Sequence, residues 1–220
     1  MALIFKERAT ILFVGDSITD GGRTRTDPRH LGLTYAGIAA GMIQTAHPEL
    51  RLQFYNRGIG GDSVRELAAR WERDVTPLAA DWISISIGIN DVWRTYKNSP
   101  NAVPLDEFTA TYRRLAAAAR AAGARLILME TSIIEQDFAS PGNVRLEPFN
   151  AAIRAIAVDH DAVLVRTRDA FRRALAAWPD YQWTNDGIHT SCEGSVLMAR
   201  AWLYAVGFDP DHWFRQTLHS

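Results

Sequence analysis

Short, almost uninterrupted apolar runs alternate along the chain with longer segments in which apolar residues recur every three or four positions. The runs are Thr10–Val14, Leu52–Tyr55, Trp82–Ile87, Arg125–Met129 and Ala162–Val165. They are short and nearly continuous in apolar character, which predicts strands covered on both sides, as in a parallel sheet. Helices are predicted between them at about Thr34–His47, Ser63–Val75, Asp106–Ala122, Leu146–Asp159 and Thr167–Trp178, with a last one over Cys192–Val206. In the Asp106 segment, Phe108, Tyr112, Leu115 and Ala119 form one stripe, and Gly123 supplies the stop. In the last, Ser191 is the expected N-cap, Val196, Ala199, Leu203 and Val206 form the stripe, and Gly207 ends it. Strand–helix alternation of this kind predicts an α/β fold: a three-layer α/β/α sandwich around a five-stranded parallel sheet with right-handed crossovers. No repeat or linker divides residues 1–220, so one domain is expected, with a tail from about residue 208. The irregular stretches 20–33 and 131–145 are long enough to rim a site.

The chain has 220 residues, of which 47% are hydrophobic and 22% charged. Its size allows burial of roughly 70% of the extended surface, so neither disulfide nor metal is required for folding. A net charge of -1 argues against a nucleic-acid or anionic-membrane partner, which would demand a basic excess. Arginines alternate with acids, as in Arg70-Trp71-Glu72-Arg73-Asp74, the pattern of a solvated helix face. The lone cysteine, Cys192, has no intrachain partner, which suits a reducing compartment, and it reads as a small buried filler. Met1–Glu7 lacks the apolar core and cleavage site of a secretory leader. No apolar stretch approaches the ~20 residues of a membrane span. A cytoplasmic location is expected.

Chemistry-bearing residues collect where the predicted strands end. Ser17 lies in Gly15-Asp16-Ser17-Ile18-Thr19-Asp20-Gly21-Gly22 after the first strand, Gly58–Ser63 follow the second, and Gly88–Asp91 follow the third. In open parallel sheets ligands bind beyond these carboxyl ends. Near the other end of the chain, Asp186-Gly187-Ile188-His189 places a carboxylate and an imidazole within one turn. A serine hydroxyl is a poor nucleophile until a positioned base takes its proton, and the base needs an orienting acid. Ser17, His189 and Asp186 are those residue types. Thr19 stands where a Gly-x-Ser-x-Gly elbow would have its last glycine, so an ordinary α/β-hydrolase is disfavoured. An acyl-transfer site also needs donors aimed at the oxyanion, and the Ser17 N–H, the Gly61 N–H and the Asn90 amide are candidates. Trp93 and Tyr96 could stack on a sugar ring or pack in the core; Arg23 could contact substrate or sit in a surface ion pair.

The four blocks resemble the GDSL or SGNH hydrolase family, with Ser17, Gly61, Asn90 and His189 at its four signature positions and Asp186 as the triad acid. The first block reads Gly-Asp-Ser-Ile instead of Gly-Asp-Ser-Leu. The resemblance implies a flavodoxin-like SGNH hydrolase fold, with Ser17, Asp186 and His189 catalytic and Ser17, Gly61 and Asn90 forming the oxyanion hole. Asp16, Arg23, Trp93 and Tyr96 are assigned to substrate contacts, and no metal or cofactor is expected. Gly15–Arg23, Asn56–Gly61, Ala69–Glu72 and Ile87–Trp93 are similar to the intracellular acetyl-xylan esterases of that family. The expected substrate is an acetylated oligosaccharide, and a homo-oligomer is a further expectation. Thr184-Asn185 before Asp186 and Thr190 in place of a proline depart from the subgroup near the triad.

Other readings compete. A broader lipase, arylesterase or thioesterase of the same family would share the machinery. A dinucleotide site is weakened by Ser63 at the last required glycine of Gly58-Ile59-Gly60-Gly61, and a metallophosphoesterase by the lack of paired histidine–acid motifs. A non-catalytic carbohydrate-binding protein would release no acetate. The tail Phe208-Asp209-Pro210-Asp211-His212-Trp213-Phe214 either docks on a second subunit or packs on its own domain.

Overall fold

The computed structural model describes residues 2–211. Five strands, β1 (Thr10–Gly15), β2 (Gln53–Asn56), β3 (Trp82–Ser86), β4 (Arg125–Met129) and β5 (Val163–Val165), form one parallel sheet in the order β2-β1-β3-β4-β5. This is the predicted α/β sandwich, in the flavodoxin-like order whose direction reverses between β1 and β3. The helices are α1 (Ser17–Asp20), α2 (Tyr35–Ala46), α3 (Val64–Ala69), α4 (Trp71–Asp74), α5 (Ile89–Tyr96), α6 (Leu105–Ala121), α7 (Pro141–Asp159), α8 (Thr167–Ala177) and α9 (Cys192–Ala205). α2, α8 and α9 pack together on one face; α3, α5, α6 and α7 cover the other.

Strand β1 is buried from Ile11 onward and β3 throughout, as expected of strands covered on both faces; the serines of β3, Ser84 and Ser86, are buried with the rest. Aromatic rings knit the α2/α9 layer to the sheet. Phe13 meets Tyr35, Phe54 and Trp202 at 5.2–6.2 Å between ring centres. The Trp202 indole N–H donates to Ser84 Oγ at 3.0 Å, the partner a buried tryptophan requires. One cluster of buried apolar residues runs from Phe5 to Phe208. No helix of the described residues is long and apolar enough to cross a membrane.

Three departures from the predicted elements bear on function. The single helix expected over Ser63–Val75 is broken at Arg70, which ends α3 and opens α4 with a backbone of φ -108, ψ 3. Its guanidinium turns inward there, where a continuous helix would have left it on a solvated face. Residues Ile89–Tyr96, read as loop followed by isolated aromatics, form α5. The helix expected from Leu146 starts at Pro141, with Ser140 Oγ accepting from the Asn143 N–H and proline at the first turn, a start signal that the sequence does contain. Cys192 is exposed at the head of α9 instead of buried. Of the aromatic tail, Phe208 is buried and Asp211 accepts from Arg200 at 2.6 Å; His212, Trp213 and Phe214 lie outside the described residues.

Candidate active site

The crevice lies at the switch point. β1 delivers Ser17 and β3 delivers Gly88–Asn90 in adjacent register, with Gly15 paired to Ser86. A side chain at Gly15 would collide with the Ser86 carbonyl and the Thr19 hydroxyl, so glycine is what lets the strand turn this tightly into α1. Asp16 caps α1, accepting from the Ile18 N–H at 2.9 Å, and Ser17 occupies the first helical position, where backbone N–H groups have no partner within the helix. Ser17 Oγ lies 2.8 Å from His189 Nε2 across 172 positions of sequence.

His189 stands on a hairpin closed by an antiparallel bridge between Thr184 and Thr190. Asp186 Oδ1 accepts from the Ile188 and His189 N–H groups at 3.0 and 2.8 Å. Its other oxygen accepts from His189 Nδ1 at 2.6 Å, which leaves Nε2 as the acceptor facing Ser17. Burial works against ionisation of Asp186, but these hydrogen bonds outweigh it and hold the carboxyl below the usual carboxylate range. Gly187 turns the hairpin at φ +89. Thr190, where the resemblance leads one to expect proline, pairs its hydroxyl with Ser195 Oγ at 2.7 Å and ties the hairpin to α9. Glu135 supports the hairpin's outer side by donating its N–H to the Gly187 carbonyl at 2.6 Å, from a left-handed backbone at φ +67.

Gly61 has φ +84, and nothing lies within 4 Å of the place a Cβ would take; glycine is required there by the backbone rather than by crowding. Among the described residues, no partner accepts from the Ser17 N–H or the Gly61 N–H. Asn90, at the start of α5, donates from Nδ2 to the Asp62 carbonyl at 2.9 Å, and its amide carries a second N–H. The loop between β2 and α3 is fastened by groups that sequence reading did not select. Arg94 donates to the Gly61 carbonyl at 2.7 Å, Arg70 to Asp62 Oδ2 at 2.6 Å, and Val64 N–H to Asp91 Oδ1 at 3.1 Å. Arg70 and Asp91 fall within the blocks that carry the resemblance, but no motif gives them or Arg94 this role, because their partners are set by the fold.

Of the residues assigned to substrate contacts, two sit elsewhere. Asp16 is 2% exposed, and burial pushes its carboxyl up to about 7; its work is the α1 cap. The Arg23 side chain is 7% exposed and lies 3.8 Å from Asp20, donating to the Gly58 carbonyl at 3.1 Å, so it braces the loop. For Arg23 this is the ion-pair alternative that the sequence offered, made at a largely buried side chain; for Asp16 the motif carries no information on side-chain burial. Trp93 and Tyr96 are half-buried neighbours on α5 with ring centres 5.7 Å apart. Lys97 Nζ covers the Trp93 ring at 4.4 Å, and Tyr96 Oη donates to Glu135 at 3.4 Å, beside the hairpin. Among the described residues, no group of three or more His, Cys, Asp or Glu side chains is arranged to hold a metal ion.

Comparison with known proteins identifies the family. The sequence model of the GDSL-like Lipase/Acylhydrolase family matches residues 13–197. An acetylxylan esterase from Geobacillus stearothermophilus is 37% identical over 206 residues, covering 90% of this chain and 94% of that protein. The crystal structure of an acetylxylan esterase from the same organism superposes with a TM-score of 0.90 at 35% identity, covering 96% of this chain and 98% of the other. LAE5, an alpha/beta hydrolase from the metagenome of Lake Arreo, Spain, gives 0.89 at 31% identity over 94% and 98%. With a family match spanning both the Ser17 turn and the Asp186–His189 hairpin, this chain belongs to the GDSL-like lipase/acylhydrolase family and is a carboxylic ester hydrolase.

Proposed function

We propose that the chain removes acetyl groups from xylo-oligosaccharides or other acetylated carbohydrates through an acyl-enzyme on Ser17. The observation that carries this reading is the relay Ser17 Oγ–His189 Nε2–His189 Nδ1–Asp186 Oδ2, with steps of 2.8 and 2.6 Å. His189 takes the Ser17 proton as Oγ attacks the ester carbonyl, and Asp186 stabilises the imidazolium that forms. The Ser17 and Gly61 N–H groups, unspent on the protein, and the Asn90 amide receive the charge of the tetrahedral intermediate. One such donor is worth about 3–4 kcal/mol when removed. His189 then protonates the leaving sugar alcohol, and water, activated by the same imidazole, releases acetate and frees Ser17. Trp93 and Tyr96, next to Glu135 and the hairpin, are the side chains we assign to the sugar.

Acetyl as the acyl group is supported by the similarity to acetylxylan esterases. We take residues 1–220 as one domain, supported by the continuous core from Phe5 to Phe208. The reading includes a cytoplasmic location, which a single cysteine suits, and a homo-oligomer, checked by the mass in solution. The test compares acetylated xylo-oligosaccharides with acetyl, butyryl and octanoyl esters, using wild type and Ser17→Ala. Acetyl esters should turn over fastest, with the alanine variant inactive on all. Comparable rates for wild type and Ser17→Ala would remove Ser17 from the chemistry. Preference for octanoyl esters would move the substrate to lipids.

A further inference from the structure

Arg70 is a buried cation that touches both halves of the crevice. Its side chain is 6% exposed. Nε donates to Asp62 Oδ2 at 2.6 Å, Nη2 to the Gly15 carbonyl at 3.1 Å, and Nη1 to Asp74 Oδ2 at 3.4 Å. Gly15 lies two residues before Ser17, and Asp62 directly follows Gly61. The guanidinium is planar, with donors in a fixed fork, so one rigid group spans the strand exit that presents the nucleophile and the loop that presents a backbone donor. Neither anchor has slack. The Gly15 carbonyl also accepts from the Ile59 N–H at 3.0 Å, and the Asp62 carbonyl is held by Asn90 at 2.9 Å. The helix break at Arg70 is where the chain gives up regular structure to place this side chain.

We propose that Arg70 is a positioning residue for the reaction: it sets the separation between Ser17 Oγ and the Gly61 N–H, and thereby how well the oxyanion is met when it forms. The proposal rests on the reading of Ser17 and Gly61 given above. An arginine that only stabilised the α3–α4 corner would affect melting without distinguishing ground state from transition state. An arginine that fixes donor geometry acts on the tetrahedral species, because only there does the carbonyl oxygen carry the charge the donor receives.

Arg70→Lys separates these cases. It keeps a positive charge beside Asp62, but a lysine ammonium is a single point on a flexible stem and cannot reproduce a two-sided fork. For a variant whose circular dichroism matches wild type, kcat should fall about 10- to 100-fold, the scale of an ångström-sized misplacement, with KM within about threefold. Affinity for an alkylboronic acid, which forms a tetrahedral adduct on an active serine, should fall with kcat/KM, while affinity for the deacetylated sugar stays at the wild-type value. Asp62→Asn weakens the other end of the bridge and should shift the same quantities in the same direction, and the double variant should be no slower than the worse single one, because both act through one contact. If the lysine variant does not fold, Asp62→Asn alone decides. A folded variant with unchanged kcat, or one whose loss falls wholly in KM, overturns the proposal. Ser17→Ala runs alongside: activity retained there sinks the assignment of Ser17 itself, whereas an inactive Ser17→Ala with unimpaired Arg70→Lys sinks only the positioning role.

Discussion

The loop at residues 58–63 and the hairpin at residues 184–190 both reach Ser17 and are held by opposite means. The loop is pinned from a distance by three guanidiniums, Arg23, Arg70 and Arg94, on Gly58, Asp62 and Gly61, and by the Asp91 carboxylate on Val64. The hairpin largely holds itself: Asp186 binds three groups within its own turn, and the side chains of His189 and Asp186 are about half exposed, at 49% and 54%. The carboxyls record the difference. Beneath the loop, burial pushes Asp16 and Asp91 up to about 7; in the hairpin, local hydrogen bonds hold Asp186 below its ordinary range. Under the proposed mechanism, the group that must stay fixed while charge develops is set in a buried frame, and the group that must exchange protons with substrate and water stands where both can reach it.

The comparison can be broken at several places. The largest effect belongs to the hairpin. His189→Ala should lower kcat by at least about 10⁴-fold, and Asp186→Asn by about 10⁴-fold by spoiling the imidazole tautomer. Steady-state kinetics on an acetyl ester reads both, and residual activity above one per cent for either variant contradicts the relay. On the loop side, Asn90→Ala should cost about 10²–10³-fold in kcat, with KM little changed. A loss confined to KM would make Asn90 a tether for Asp62 and nothing more.

The smallest effect is thermodynamic. The Asp16 carboxyl, at about 7 when folded, has an unfolded value of about 3.9. Between these values the folded chain holds the extra proton, so Asp16 lowers stability as pH rises through that window. Asp16→Asn, which can still accept from the Ile18 N–H, should therefore melt a few degrees above wild type at pH 8 and level with it near pH 4, as thermal unfolding would show. A difference of equal size at both pH values would mean that Asp16 stays charged throughout. Asp186 carries the opposite sign: its contribution to stability is present at neutral pH and is lost as pH falls through its lowered value.

The same contrast explains what could be read from the chain. Asp186 and His189 are visible because their interaction closes within four residues, and Ser17 because a glycine-rich strand exit surrounds it. All five strands were legible, since β1, β3 and most of β4 are buried on both faces and the partly exposed β2 and β5 still keep short, largely apolar runs. Arg70 was not. It lies in a run of alternating charges that reads as a solvated helix face, and only the fold shows Gly15 and Asp62 converging on it. The burial of Asp16 and of the Arg23 side chain was not legible for a related reason: a motif fixes order along the chain, whereas burial depends on what packs above. The start of α7 was encoded by Ser140-Pro141, a cap and a first-turn proline set inside a stretch otherwise read as loop. α5 was hidden by its own first residues, Ile89-Asn90-Asp91, whose chemistry suggested a loop.

The pairing of Ser17 with His189 is tested most directly by labelling with a fluorophosphonate, which reacts with activated serine nucleophiles, followed by peptide mass spectrometry. A single phosphonyl adduct on Ser17, absent from Ser17→Ala and formed far more slowly in His189→Ala, is the predicted result. An adduct on another serine or on Cys192, with ester hydrolysis intact in Ser17→Ala, would contradict it.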